Sequence, residues 1–150
     1  MKIKYFLLLL MVIASLSSCS FFNNEEEVLD KSKLVCYIAI DKGDTAWLSI
    51  DTSHKKINGL FTMSYGGKKK YDGQVKGWIL GDTLKAHFDF KVNKVDKWYR
   101  NPVAFLRKDN KLLMGVGETV LIWGSGHFDE KVPIDFDKGR FVFEPITCKP

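Results

Sequence analysis

The side chains able to do covalent or acid–base chemistry in this chain are few and dispersed. Cysteines stand at Cys19, Cys36 and Cys148, and histidines at His54, His87 and His127. None of the histidines has a second His, Cys or carboxylate at the short spacing from which metal sites are built, so no metal centre is expected. A serine or cysteine nucleophile needs a base and a group that orients the base, and no nucleophile-elbow motif surrounds any candidate. Asp82, Asp89 and Glu118 could be imagined as paired carboxylates, but solvation and turn capping explain them more simply. The residue types therefore point away from catalysis and call for no cofactor.

Cys19 has a different chemistry. Lys2 and Lys4 precede an apolar run from Tyr5 through Ala14, which gives way to Ser15, Ser17 and Ser18. That order of charged, apolar and small residues is the order of a secretory signal, and the run is short of the about 20 residues that cross a bilayer. Leu16-Ser17-Ser18-Cys19 resembles the lipobox of bacterial lipoproteins. The resemblance implies cleavage before Cys19 and acylation of its thiol. Several acyl chains, each buried methylene contributing about 0.8 kcal/mol, hold a soluble domain on a membrane. Residues 1–18 are thus expected to be a signal peptide and residues 19–33 a lipidated, acid-rich tether. Ser20 is not aspartate, which by resemblance to Gram-negative lipoprotein sorting favours the outer membrane. Glu25-Glu26-Glu27 resembles the acidic tethers of surface-exported lipoproteins, so either face of that membrane is open.

Cleavage would remove two lysines and no acid, leaving 21 basic against 18 acidic side chains and a net charge of +3. The one basic run, Lys68-Lys69-Lys70, lacks interleaved aromatics and a helix, so no nucleic-acid partner is expected. With Cys19 committed to lipid, Cys36 and Cys148 remain near the two ends of the body, in a compartment where disulfides persist. A bridge between them is the expected state, with two buried thiols as the alternative.

The elements that must carry these residues are strands. From Leu34 onward the hydrophobic pattern has period two and turn residues recur about every ten positions. The clearest case is Asp82 to Phe90, where Leu84, Ala86, Phe88 and Phe90 alternate with Lys85, His87 and Asp89. Seven further strands are expected over 34–40, 44–51, 55–65, 69–80, 98–107, 111–118 and 140–146. Short connections such as Asp41-Lys42-Gly43 and Gly66-Gly67 make neighbours antiparallel. Residues 34–150 are therefore expected to form one all-β domain, an eight-stranded antiparallel meander closed as a barrel, with a two-sheet sandwich as the alternative. Glycines inside strands suit the bends of a small barrel. Thr119 to Lys138 reads as a long irregular connection with one short helical turn.

Asp72-Gly73, Val75-Lys76-Gly77, Gly81-Asp82-Thr83-Leu84, Val103-Ala104-Phe105-Leu106 and Gly115-Val116-Gly117-Glu118 lie in this order between Cys36-Tyr37 and Cys148. In that arrangement the body resembles a family of small Bacteroidetes lipoproteins with a repeated G-x-x-x-G-D-T-L pattern. The resemblance implies a lipocalin-like barrel and supplies no reaction. Met114 and Val92-Asn93-Lys94 depart from the family pattern, which has acidic residues at those places.

For function, the aromatic residues Trp47, Trp78, Trp98, Tyr99 and Trp123 are the candidates for work beyond packing. Small barrels can hold one ligand at the open end, and Arg100 with Glu118 could form a polar floor, or stand as exposed charges at strand ends. Trp47, Trp78, Trp98, Tyr99, Arg100 and Glu118 are accordingly the expected ligand-binding set. The leading reading is an envelope lipoprotein that binds a small apolar or amphipathic ligand without catalysis. A protein-interaction module, suggested by the Thr119 to Lys138 connection and an exposed Phe128, comes second, and an enzyme third.

Overall fold

Alternating apolar and polar side chains give a strand one wet face and one face that must find a core, and here the strands satisfy that by closing on themselves. The computed structural model describes residues 29–148. The signal segment, Cys19 and most of the tether lie outside the described residues. Lys31–Lys33 forms a single 3-10 turn capped by Asp30, whose carboxylate accepts from the Ser32 amide. Ten strands follow: β1 (Leu34–Asp41), β2 (Asp44–Asp51), β3 (Lys56–Tyr65), β4 (Lys69–Leu80), β5 (Thr83–Val92), β6 (Tyr99–Lys108), β7 (Lys111–Met114), β8 (Thr119–Ile122), β9 (Ser125–Phe128) and β10 (Val142–Ile146).

Eight of them form a closed antiparallel barrel in the circular order β1-β2-β3-β4-β5-β6-β7-β10, a meander whose last strand returns to the first. The lipocalin-like barrel is therefore the fold, and the sandwich is not. The expected seventh strand stops early, at Met114, after which the chain leaves the wall. Val116 makes only an isolated bridge to Asp135. Within the expected loop Thr119 to Lys138 there is no helical turn among the described residues. The chain forms a second, two-stranded sheet there instead, β8 paired with β9.

Register decides which side chains face inward. Phe88 pairs with Val75, and Leu48 with Phe61 and Tyr37, which sets those residues on the interior face. Phe61, Phe88, Phe105 and Phe143, from four different strands, meet inside the barrel. Phe61 lies 4.7, 5.8 and 6.0 Å from the rings of the other three. Tilted and edge-on arrangements at such distances add to area burial. A second aromatic tier of Tyr65, Tyr71, Phe90, Tyr99 and Phe141 closes one end. No charged or polar residue is fully buried among the described residues. Gly73 permits close approach of β4 to β5, because a Cβ there would collide with the Asp89 carbonyl and the Phe90 Cα.

The seam between first and last strands is short: Cys36, Tyr37 and Ile38 pair with Ile146, Pro145 and Glu144. It is reinforced by a disulfide between Cys36 and Cys148, whose Cα atoms lie 5.2 Å apart. At the other end Arg140 ties the entry of β10 to the β1–β2 turn through Asp41 and Asp44.

Candidate functional site

The interior described above is occupied by side chains, so a ligand site must lie on the outside. Two surface grooves stand out, both beside the segment that runs from Gly115 to Arg140. This segment folds back over the outer face of β6 because its glycines let it. A Cβ on Gly115 would meet Ile134 and Phe136 at 2.4 and 2.7 Å, and one on Gly117 would meet the Phe128 ring at 2.7 Å. Beneath it Ala104 points away from the barrel axis yet is fully covered. Phe128, expected to be exposed, is half-buried in this packing.

The first groove, about 820 Å³, lies between the β8–β9 hairpin and the wall. It is lined by Lys97, Trp98, Tyr99 and Arg100 on one side and by Leu121 and Ser125 on the other. Three of the expected ligand residues, Trp98, Tyr99 and Arg100, are thus brought together. The order of the β5–β6 connection explains why: the chain turns back at Asn93 and Lys94, both with positive φ, and delivers Lys97 to Arg100 consecutively to the rim. Lys91 sits 4.8 Å from the Trp98 ring and Lys97 sits 5.1 Å from the Tyr99 ring, geometries in which the cations attract the ring faces. Arg100 faces outward and donates twice to the Asp89 carboxylate, at 2.5 and 2.6 Å. That paired geometry holds its guanidinium in the charged form. Among the described residues no polar floor exists inside the barrel.

The second groove, about 750 Å³, holds Glu118 with Leu106, Val116 and the stretch from Val132 to Lys138. Trp47 and Trp78 line neither groove. Trp47 stands on the outer face of β2, and Trp78 stands on the outer face of β4 with Lys56 over its ring. Asp82, Asp89 and Glu118 are not assembled: Asp82 lies in the β4–β5 turn, Asp89 is held by Arg100, and Glu118 is in the second groove.

One cluster was invisible at the level of spacing. His87 on the outer face of β5 and His127 on β9, 40 residues apart, approach to 3.3 Å between Nε2 and Nδ1. Burial first, and then the proximity of His127 and of the Arg100 guanidinium, push the His87 pKa below the usual histidine value. A neutral ring can donate one hydrogen bond and accept another, so the pair joins hairpin to wall. Among the described residues no group of three or more His, Cys, Asp or Glu could hold a metal ion. Sequence reasoning also missed the hairpin itself. The signal was present as an apolar, β-branched Thr119-Val120-Leu121-Ile122 followed by Trp123-Gly124 at two-residue turn spacing.

No family model, curated protein or solved structure matches the chain.

Proposed function

We propose that this chain is a lipoprotein of the bacterial envelope, held by lipid on Cys19, that binds a small amphipathic molecule in the groove between the β8–β9 hairpin and the barrel wall. The carrying observation is the convergence of Trp98, Tyr99 and Arg100 with Leu121 around one groove. Its volume falls within the about 300–1,000 Å³ of small-molecule sites, which combine apolar and aromatic walls with a few fixed polar groups. Aromatic faces and Leu121 take the apolar part, while Lys97 and Asn101 are placed for a polar head. The packed barrel supplies rigidity rather than volume, and non-enzymatic binding is the role this suits. A lipobox of the Leu16-Ser17-Ser18-Cys19 kind supports the anchor, and Ser20 in place of aspartate supports the outer membrane as its address.

Titration of the domain with monomeric fatty acids, lysolipids and haem-like amphiphiles, followed by tryptophan fluorescence, tests this. Saturable quenching or blue shift is expected, weakened at least about ten-fold by Trp98→Ala, the loss of one buried aromatic contact. The absence of any saturable change sinks the reading.

A second reading, an accessory module docked on another envelope protein, is favoured by an apolar strip on three adjacent strands. Ile40 (69 % exposed), Trp47 and Val142 present it on the outer faces of β1, β2 and β10. Crosslinking from Trp47 positions in intact cells distinguishes it, since a protein that stays monomeric and uncrosslinked counts against a partner.

A further inference from the structure

The tip of the β8–β9 hairpin is an anomaly of composition. Ile122 pairs with Ser125, so the turn consists of Trp123 and Gly124, with φ +52° and +79°. Two consecutive left-handed residues make the kind of hairpin turn in which Asn-Gly is ordinary and a bulky aromatic is not. Trp123 is fully exposed at 100 %, Leu121 beside it is 81 % exposed, and Ile122 and Val120 are open as well. A backbone conformation unfavourable to tryptophan, used to hold a tryptophan entirely in water, contributes nothing to packing. It is what a residue reserved for another surface looks like.

The surroundings identify that surface. The groove lining places the hairpin beside Lys97 and Trp98 of the β5–β6 turn, which adds exposed Val95 and Trp98 to the apolar tip. The β5–β6 turn in turn adjoins the β3–β4 turn: the Asn93 amide donates to the Lys70 carbonyl and the Asn93 side chain to that of Lys68. This end of the barrel therefore carries Lys68, Lys69, Lys70, Lys91, Lys94 and Lys97, with Lys42 and Arg140 beside the adjoining β1–β2 turn, against Asp41, Asp44, Asp72 and Asp96. Apolar and tryptophan side chains at a tip, rimmed by lysines, match the layering of an anionic lipid interface. There acyl chains meet apolar side chains, tryptophan sits at the headgroups, and lysines face lipid phosphates. A protein groove would have no need of so wide a cationic rim.

We infer that this end of the barrel is a membrane-docking face for anionic phospholipid, with Leu121, Ile122 and Trp123 entering the headgroup region. Chain entry does not prevent this. Leu34 begins β1 at the opposite end, next to the β2–β3 turn, but residues 19–30, ahead of the Lys31–Lys33 turn, span up to about 40 Å at 3.3–3.6 Å per residue, which exceeds the about 30 Å length of these strands. The groove of the proposed function would then open beside the lipid headgroups, although the docking face stands independently of that groove and of acylation at Cys19.

The test uses the chain from residue 19 with Cys19→Ser, so that no acyl chain contributes; every strand among the described residues, the core and the disulfide lie within Leu34–Cys148. It is mixed with vesicles of phosphatidylcholine alone or with about one third phosphatidylglycerol, and partitioning is read by sedimentation and by quenching with brominated acyl chains. Binding to the anionic vesicles is expected, reduced several-fold in half-molar salt and at least about ten-fold by Trp123→Asn with Leu121→Ser. Asparagine suits the left-handed turn and Trp123 makes no packing contact, so the fold is retained. An unchanged melting temperature and unchanged His87–His127 contact by NMR verify this. Equal binding of wild type and double variant, equal binding to neutral vesicles, or no binding to either overturns the inference. Trp123→Asn alone leaves amphiphile binding in the groove intact, because Trp123 does not line it, so the two readings fail separately.

Discussion

The disulfide offers the sharpest quantitative test of how this barrel is held shut. Cys36 and Cys148 are separated by 112 residues, so the bridge removes a large loop-closure entropy from the unfolded chain. The chain-entropy relation gives about 4.8 kcal/mol at 25 °C for a loop of that size. A domain of this length shifts its melting temperature by about 4 °C per kcal/mol, so reduction should lower Tm by about 15–20 °C. The native geometry adds a local component. The seam it reinforces has three paired positions, and one of these, Pro145, has no N–H to donate. The next junction, β10 to β7, has only two. Reduced protein should therefore open first at β10, with amides of Phe143 and Glu144 exchanging faster relative to β3 and β4 than they do in the oxidised form. Denaturant unfolding of wild type with and without reductant, and of Cys36→Ala with Cys148→Ala, supplies the stability difference. Hydrogen exchange supplies the location, and thiol titration confirms the redox state. A difference below about 1 kcal/mol, with exchange unchanged in β10, would refute the argument and show that side-chain packing alone closes the seam.

Two further outcomes follow from the core and from the histidine pair. Phe61→Ala, which removes the ring shared by Phe88, Phe105 and Phe143, should cost about 3–5 kcal/mol in denaturant unfolding; a cost under 1 kcal/mol would show that the interior collapses around the cavity. His87 has a folded-state pKa below its unfolded value of about 6.5. The folded state therefore binds fewer protons, and its stability is full above pH about 6.5 and declines as pH falls through that value towards the folded pKa. The paired carboxylates, with pKa values lowered from 3.8, act only below about pH 4. Stability measured at pH 7.5 and 5.5 isolates the His87 contribution from that of the carboxylates, and His87→Gln should flatten the difference. An unaltered slope in that variant would remove His87 from the account.

How much of this was legible in the sequence differs from element to element, and the difference has a cause. Leu84, Ala86, Phe88 and Phe90 announce both their strand and their buried face, because period-two alternation is a local property of an extended chain with one dry side. The turn residues fixed antiparallel neighbours, and Cys36 and Cys148, the two cysteines of the folded body, left one intramolecular pairing, which the structure contains. The strand at Lys111 was legible at its start but not at its end. What stops it at Met114 is the packing of Gly115 and Gly117 against Ile134, Phe136 and Phe128, residues 11 to 21 positions away.

The candidate site was legible only as a consecutive run. Lys97, Trp98, Tyr99 and Arg100 are neighbours in the chain, so any fold that exposes that turn delivers them together. That Arg100 faces outward to Asp89 depends on the register of β5 against β6. A slip of one residue would have turned it inward, and no pattern within β6 settles that choice. The meeting of His87 with His127, the filling of the barrel by four phenylalanines, and the placement of an apolar hairpin tip beside a lysine-rich end all arise from contacts between distant segments. Local sequence determined which faces are dry and where the chain can turn. Only the tertiary structure decided which dry faces meet, because register and strand closure are collective quantities that no single segment's side chains specify.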